Sequence, residues 1–447
     1  MAGRLINPAD YGRGIRTVLF GDSLTFLSNQ IEPGMSLAYD ATLGTSYYTG
    51  TGVASTTDYG AFSWADALMG APHYVIRNSG IGGNNTDQML ARITTDVLQY
   101  NPELVYLWGG RNDFKQGKDA PYVIARMTQM LDAITAIGAA ICLIDVPPST
   151  DLNLTASGSR NAIVFSEWLR DEVRKRKGCF LVSALGVMAD PLYTNSAAAK
   201  STYVVADGIH NNNLGAFRVG GEIARVMGPH VKPWAHYPKS PVEGYDFQPN
   251  TAPEYRNSNP LFAGSGGTAG TGVTGTVAAG WEVGRSSGTP TVVASVVEEA
   301  EFVGNAQRLA ITFTGAADEA VYLGILTGSI HSRFVDGKVM ELQADIRIAS
   351  GSADIINRME LVSSGTFNGQ SVQSRAMARV VSSSVQGLAD NVQPMPLAGR
   401  FLRARTPRVL AAGPCTVWNH FLRIYSSTAG TVTVDVSRYG VRQFTPQ

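Results

Sequence analysis

Short apolar runs alternate with longer amphipathic runs from residue 17 to about residue 230. Apolar segments of strand length occupy residues 17–20, 73–77, 103–108, 140–146 and 179–183. Segments with helical spacing of apolar residues begin near Thr86, Tyr122, Ser157 and Asn213. Because the strand segments are apolar without interruption, both of their faces are predicted to be buried. The alternation therefore predicts a parallel five-stranded sheet covered by helices on both sides.

A different period governs the second half of the chain. The proline-rich stretch over residues 229–260 is typical of an extended, partly docked linker. Beyond it, apolar and polar residues alternate in runs such as QRLAITFTG (307–315) and GTVTVDVSRYGV (430–441). Alternation with period two between clusters of Gly, Ser and Thr predicts an antiparallel β-sandwich. We therefore expect an α/β domain over residues 1–230, a linker over 231–258 and a sandwich over 259–447.

Charge and composition exclude several classes of partner. The 447 residues include 36 basic and 36 acidic side chains without a block of one sign, so neither nucleic acid nor an anionic membrane is predicted as a partner. No segment reaches the roughly 18 apolar residues of a membrane span, and the start lacks a Sec signal peptide. We expect a soluble protein that is cytoplasmic or released by lysis.

The three cysteines, Cys142, Cys179 and Cys415, are widely spaced, and this spacing predicts buried free thiols.

Polar residues follow three of the predicted strands. Ser23 lies in FGDSLT after the first strand, Gly83 in NSGIGGNNT after the second, and Asn112 in GGRNDF after the third. Each block alone has an ordinary explanation, because Gly, Asp and Ser form turns and Asn and Asp cap helices. In a parallel sheet, however, ligand sites lie beyond the carboxyl ends of the strands. We therefore expect these three loops to meet at one edge of the sheet.

A fourth loop, VVADGIHNNN over residues 204–213, places Asp207 and His210 three residues apart before the last helix. A metal site would need further ligands that no neighbouring spacing supplies, so neither a metal nor another cofactor is predicted. Together the four loops offer a hydroxyl, a glycine amide, an asparagine amide and an Asp-His pair. This combination favours nucleophilic catalysis by the serine.

These blocks and their order resemble the SGNH hydrolases, also called the GDSL esterase family, over residues 17 to about 228. The resemblance implies a flavodoxin-like α/β fold and hydrolysis of esters. It implies Ser23 as the nucleophile, His210 as the general base and Asp207 as the residue that orients it. It further implies an oxyanion hole formed by the amides of Ser23 and Gly83 and by the side chain of Asn112.

The chain departs from the family pattern at two places. The last block commonly continues as HPN, whereas here it reads HNNN, so the loop lacks a proline. Asn84 and Asn85 follow the oxyanion glycine where many members carry Asp and Thr. The first change is expected to loosen the loop and the second to alter the acyl pocket, while the catalytic positions remain.

A long insertion between Ser23 and Trp64 carries the residues that suggest a substrate. Its rings either pin the segment together or lie at the edge of the site, where tyrosines amid Ser, Thr and Gly suit a sugar better than a lipid. An acetylated carbohydrate is therefore the predicted substrate. A lipolytic or thioester-cleaving enzyme and a glycan-binding phage tail component remain as alternatives. The rings are Tyr39, Tyr47, Tyr48, Tyr59, Phe62 and Trp64.

Residues 259–281 weakly resemble the opening of jelly-roll carbohydrate-binding modules, some of which occur in bacteriophage tail proteins. The aromatic residues of this half are expected to lie in its core, or in part to grip glycan: Trp281, Trp418, Phe421 and Tyr425. All the predicted catalytic residues precede position 211, so a fragment ending near residue 240 is expected to keep its activity on small esters. The sequence is compatible with a homo-oligomer as well as with a monomer.

Overall fold

The computed structural model describes residues 14–41, 45–149, 155–192, 198–233, 235–245, 255–325, 333–379 and 392–445. These residues form two compact units, each of which draws on separate parts of the chain. The first unit takes its described residues from Met1–Asn29, Thr57–Trp234 and Val380–Gln393. The second takes them from Gln30–Thr56, Ala235–Arg379 and Pro394–Gln447.

The helices and strands are numbered along the chain. The strands are β1 (Ile15–Gly21), β2 (Asn29–Ile31), β3 (Met35–Asp40), β4 (Thr45–Gly50), β5 (Gly52–Thr57), β6 (His73–Gly80), β7 (Leu104–Trp108), β8 (Ala140–Ile144), β9 (Cys179–Val182), β10 (Thr268–Ala269), β11 (Val273–Gly275), β12 (Glu282–Ser287), β13 (Thr291–Glu298), β14 (Asn305–Phe313), β15 (Glu319–Ile325), β16 (Lys338–Ile348), β17 (Arg358–Phe367), β18 (Gln370–Ala378), β19 (Phe401–Arg405), β20 (Val409–Ala411), β21 (Cys415–Ser426) and β22 (Gly430–Phe444). The α-helices are α1 (Ser23–Phe26), α2 (Ala61–Leu68), α3 (Thr86–Ala91), α4 (Ile93–Asp96), α5 (Arg111–Lys115), α6 (Ala120–Ala136), α7 (Ala156–Lys175), α8 (Ala184–Met188) and α9 (Asn213–Met227).

The first unit is built on a parallel sheet. Within its described residues, five strands lie in the order β6-β1-β7-β8-β9, which is the flavodoxin-like order. Val18 and Phe20 on one face of β1 and Leu19 on the other are each at most 1% exposed. The predicted fold class of this half, with strands buried on both faces, is confirmed.

The predicted helices of the first unit form near the expected positions. Helices α6, α7 and α9 begin within two residues of the predicted starts. The helix predicted from Thr86 is shorter, because α3 ends at Ala91 and the chain continues as α4 and a 3-10 turn, Leu98–Tyr100. The break falls at Arg92, whose φ of −111° and ψ of 7° lie outside the α-helical region.

Strand register places the predicted loops at one level of the sheet. Gly21 at the end of β1 pairs with Gly80 of β6 and with Trp108 of β7. The chain segments that follow these three residues therefore leave the sheet side by side. They are the segments that contain Ser23, Gly83 and Asn112.

The second unit is sandwich-like and mostly antiparallel, as predicted for this half. Its described strands form an eight-stranded sheet, β10-β12-β15-β21-β17-β18-β5-β2, and a nine-stranded sheet, β11-β13-β14-β22-β16-β20-β4-β3, with β19 paired to β16. The rings of His420 on β21 and Tyr439 on β22 lie 5.3 Å apart, so the inner faces of the two sheets meet there. Trp281 packs on both rings.

The insertion after Ser23 is not the loop that the sequence suggested. It forms β2 to β5, and these strands join the two sheets of the second unit. Tyr59, Phe62 and Trp64 are buried, at 1%, 8% and 0% exposure, so the expectation that these three rings face a sugar is wrong. Tyr39, Tyr47 and Tyr48 are half-buried in β3 and β4.

Most of the aromatic residues singled out in the second half lie in the core of the second unit. Trp281, Trp418 and Phe421 are buried. Tyr425 is partly buried beneath the guanidinium of Arg358, 3.6 Å from the ring centroid. Part of the predicted linker also docks in this unit, since the ring of Tyr237 packs beneath Arg403 and Arg438.

The three cysteines are free, as expected. Cys142 is buried, whereas Cys179 and Cys415 are partly exposed, so the expectation of burial is wrong for these two. No helix in the described part of the chain is both long and apolar enough to cross a membrane.

Candidate active site

Ser23 is presented by a tight turn between β1 and α1. Asp22 caps the short helix and shapes the turn by accepting a hydrogen bond from the backbone N–H of Leu24 at 3.0 Å. Gly21 is required, because a Cβ there would meet Thr25 Oγ1 and the carbonyl oxygen of Trp108 at 2.2 Å. The turn therefore holds the partly exposed Ser23 just beyond the edge of the sheet.

A continuous chain of hydrogen bonds joins Ser23 to the loop before α9. Ser23 Oγ lies 2.8 Å from Nε2 of His210. Nδ1 of the same ring lies 2.5 Å from Oδ2 of Asp207. The structure thus brings together the three residues predicted to form a triad, which are separated by up to 187 positions in sequence.

The loop that carries Asp207 and His210 is held by its own hydrogen bonds. Oδ1 of Asp207 accepts from the backbone N–H groups of Ile209 and His210, at 2.8 and 3.0 Å. Asn212 is fully buried, caps α9 by accepting from the N–H of Gly215, and donates to the carbonyl of Thr202. These contacts anchor the HNNN segment, and the loosening expected from the missing proline stays a prediction.

The glycine loop after β6 lies against the nucleophile strand. The N–H of Ile81 donates to the carbonyl of Gly21 at 3.1 Å. Gly83 has a φ of +78°, a conformation that favours glycine, and no described atom lies within 4 Å of where its Cβ would be. Gly83 is exposed, two residues beyond Ile81.

Asn112 lies on α5, and its amide is oriented by the glycine loop. Its Nδ2 donates to the backbone carbonyl of Asn84 at 2.9 Å. One hydrogen of the amide is thereby engaged, and the other remains as a donor. Gly83 and Asn112, the two predicted oxyanion residues outside the triad, are therefore linked through Asn84.

Sequence reasoning missed two residues that support this loop. Asp113 is buried and accepts from the backbone N–H and the hydroxyl of Thr86, at 2.9 and 2.6 Å. Arg92 donates hydrogen bonds to two backbone carbonyl groups, those of Ser79 and Gly21. Both contacts join segments 13 or more positions apart, and local sequence patterns carry no signal for such pairs.

The carboxylates of the site are in contrasting environments. Burial raises the pKa of Asp22 to about 6, although the Leu24 amide and the charge of Arg111 oppose it. Burial also raises the pKa of Asp207, but hydrogen bonds from the ring and backbone of His210 outweigh it and hold the pKa at about 2. Asp207 is therefore the carboxylate that stays ionised beside His210.

Among the described residues, no cluster of three or more His, Cys, Asp or Glu side chains has the arrangement of a metal site. The Ser23 hydroxyl, the imidazole that contacts it and nearby amide donors instead match the groups that acyl transfer through a covalent serine intermediate requires.

Comparison with known proteins relates residues 19–216 to one family. Residues 19–216 match the model of the GDSL-like Lipase/Acylhydrolase family, which confirms the resemblance read from the four sequence blocks. No curated protein sequence matches the chain. The resemblance of the second half to jelly-roll and phage tail modules stays a prediction.

Solved structures that resemble the chain cover slightly less than half of it. A putative lipolytic protein of the G-D-S-L family from Desulfitobacterium hafniense is 16% identical, with 47% of this chain and 97% of that chain covered and a TM-score of 0.35. A putative acylhydrolase from Bacteroides fragilis is 16% identical, with 48% and 90% covered and a TM-score of 0.34. A catalytic mutant of an acetylxylan esterase from Geobacillus stearothermophilus is 18% identical, with 48% and 94% covered and a TM-score of 0.35.

Proposed function

We propose that the GDSL-like domain at residues 19–216 is a carboxylic ester hydrolase that acts through Ser23, His210 and Asp207. The observation that carries the proposal is the chain of hydrogen bonds from Asp207 Oδ2 through the imidazole to Ser23 Oγ. A serine hydroxyl is a weak nucleophile unless a base takes its proton, and this geometry supplies the base.

The reaction proceeds in two steps, acylation of Ser23 and hydrolysis of the acyl-serine. Ser23 Oγ attacks the ester carbonyl carbon while Nε2 of His210 takes the hydroxyl proton, and Asp207 stabilises the imidazolium. The tetrahedral intermediate then breaks the bond to the alcohol oxygen, which leaves with that proton. Water attacks the acyl-serine in the same way, releases the acid and restores the hydroxyl.

The negative charge that develops on the carbonyl oxygen needs donors that are already in place. We assign this role to the backbone N–H groups of Ser23 and Gly83 and to the free hydrogen of the Asn112 amide. Replacement of one such donor, as in Asn112→Ala, is expected to lower kcat by about a hundred- to a thousandfold.

We propose a small acyl group, acetyl above all, on a carbohydrate. Phe26 and Ile81 are the exposed large apolar side chains on the two described segments next to Ser23, at 44% and 43% exposure, and two side chains offer little surface to a long acyl chain. Amide side chains around the glycine loop, including Asn85 bonded to Gln116, present donors and acceptors that suit hydroxyl groups.

The substrate proposal is tested by acetate release from a panel of acetylated polysaccharides, with Ser23→Ala as the blank. We expect at least one polymer to lose acetate only with the wild-type protein. Higher rates on long-chain than on acetyl p-nitrophenyl esters would favour a lipolytic enzyme and contradict the proposal.

The domain division is also a proposal: catalysis belongs to the first unit, and the second has an accessory role.

A further inference from the structure

Arg92 lies at the junction of the nucleophile strand and the glycine loop. Its guanidinium donates to the carbonyl of Gly21 at 2.8 Å and to the carbonyl of Ser79 at 2.7 Å. Gly21 is the last residue of the strand that leads to Ser23, and Ser79 is the last but one of the strand that leads to Gly83. One side chain therefore bridges the ends of two strands that the backbone ladder also pairs.

The same guanidinium also holds the glycine loop directly. Nε of Arg92 donates to Oδ1 of Asn84 at 2.9 Å, and NH1 pairs with Asp96 at 2.6 Å. The group packs 4.7 Å from the centroid of the Phe20 ring, and the side chain is only 14% exposed. Four of its five N–H donors are thus engaged in a fixed geometry, which a lysine cannot reproduce.

Asn84 connects the Arg92 guanidinium to Asn112. Its side chain accepts from Arg92, while its backbone carbonyl accepts from Nδ2 of Asn112 at 2.9 Å. A rotation of the peptide between residues 84 and 85 would move the carbonyl that the amide of Asn112 contacts. The orientation of the Asn112 amide therefore depends on Asn84, whose side chain Arg92 holds.

We infer that Arg92 and Asn84 are positioning residues for the oxyanion hole, an inference that rests on the proposed ester hydrolysis. Neither residue is assigned contact with the substrate. Because the donors they hold act on charge that exists only in the transition state, their loss lowers kcat and leaves KM nearly unchanged. A purely structural role would instead lower stability without this selective effect.

The test measures kcat, KM and thermal unfolding on p-nitrophenyl acetate. Arg92→Gln and Asn84→Leu are expected to lower kcat by about ten- to a hundredfold with KM within about twofold. Asn84→Asp keeps the acceptor for Arg92 and is expected to retain kcat within about threefold. Arg77→Gln is the matched control, because Arg77 also lies near Asp96, at 3.8 Å, but its bonds go to the hydroxyls of Ser79 and Tyr100.

A double variant shows whether the effects of Arg92→Gln and Asn112→Ala on kcat are additive. If Arg92 acts through Asn112, the pair Arg92→Gln with Asn112→Ala should have about the same kcat as Asn112→Ala alone. Full additivity, or wild-type kcat in a folded Asn84→Leu protein, overturns the inference. If Arg92→Gln does not fold, the comparison of Asn84→Leu with Asn84→Asp still decides. Failure of the proposed function has a different signature, namely equal hydrolysis by wild type and Ser23→Ala.

Discussion

Nδ1 of His210 lies 2.5 Å from Oδ2 of Asp207, and the two residues are only three positions apart on one loop. Their mutual geometry is therefore set locally, by the bonds from Asp207 to two backbone N–H groups. Only the contact with Ser23 depends on the tertiary fold.

Asp207→Asn tests the orienting carboxylate. Burial and the stronger opposing bonds from His210 leave the Asp207 pKa at about 2, so the residue is ionised at every pH where the protein is assayed. We expect kcat to fall by about ten-thousandfold, because the asparagine removes the negative charge that stabilises the imidazolium. The kcat on p-nitrophenyl acetate measures the loss. A folded Asp207→Asn protein with wild-type kcat would argue against this role of the carboxylate.

Asp145→Asn tests a buried carboxylate of the first unit. Burial raises the Asp145 pKa to about 6, while its oxygens accept from Leu185 N–H and the Ser183 hydroxyl. The native state holds the proton more tightly than the unfolded chain, so this stabilisation is complete below about pH 4 and is lost as pH rises through 6.

Asp145→Asn should therefore exceed wild type in free energy of unfolding at pH 7.5, by on the order of 3 kcal/mol, and match it near pH 4. Urea denaturation at both pH values measures the difference. Asp171→Asn, at an exposed position of α7, is the control and should change neither value. A destabilised Asp145→Asn at pH 7.5 would show that the ionised form is not disfavoured.

How much of this arrangement is predictable from sequence depends on the range of the interactions. The parallel sheet and the loops with Ser23, Gly83, Asn112, Asp207 and His210 follow from local periodicity and short motifs. Pairing of β2 to β5 with strands more than 300 positions later does not, because the run from Gln30 to Thr56 carries no local mark of its partners. The hydrogen bond from Arg92 to the carbonyl of Gly21 was missed for the same reason.

His420→Phe tests acid sensitivity in the second unit. His420 is 1% exposed, and neither of its ring nitrogens has a hydrogen-bond partner in the part of the chain that is described. Burial, with a smaller effect of the Arg333 charge, lowers its pKa to about 3. The neutral ring stabilises the native state fully above about pH 6.5, and this contribution is lost as pH falls toward 3.

Phenylalanine keeps the ring contacts with Trp281 and Tyr439 but cannot be protonated. We expect His420→Phe to unfold at a lower pH than wild type in an acid titration followed by tryptophan fluorescence. His230→Gln, a change at an exposed ring, should titrate as wild type does. An unchanged acid midpoint in His420→Phe would exclude this residue as the cause.

Excision of the insertion tests whether the first unit is a complete catalytic domain. The N–H of Thr57 donates to the carbonyl of Ser28 at 3.2 Å, so a two-residue linker can replace residues 30–56 in a chain that ends at 233. This fragment loses the two bonds between Asn213 and Gln393, about 1 kcal/mol each. We expect it to fold and to hydrolyse p-nitrophenyl acetate with close to the full-length kcat.

A fragment ending near residue 240 that keeps β2 to β5 is the comparison. Those strands would lose the partners that they have in the full chain, and exposed strand edges promote aggregation. We expect this fragment to aggregate, contrary to the simpler expectation from sequence. If it stayed monomeric and active while the excised version did not fold, the division into two units would not describe how the chain folds.

The most direct test of the account is the rate of p-nitrophenyl acetate hydrolysis by the full-length protein and by Ser23→Ala, prepared in parallel and shown to unfold at the same temperature. The hydrogen-bonded chain of Ser23, His210 and Asp207 predicts that kcat falls by about a millionfold in the variant. Retention of a tenth or more of the wild-type rate by Ser23→Ala would contradict the assignment of Ser23 as the nucleophile.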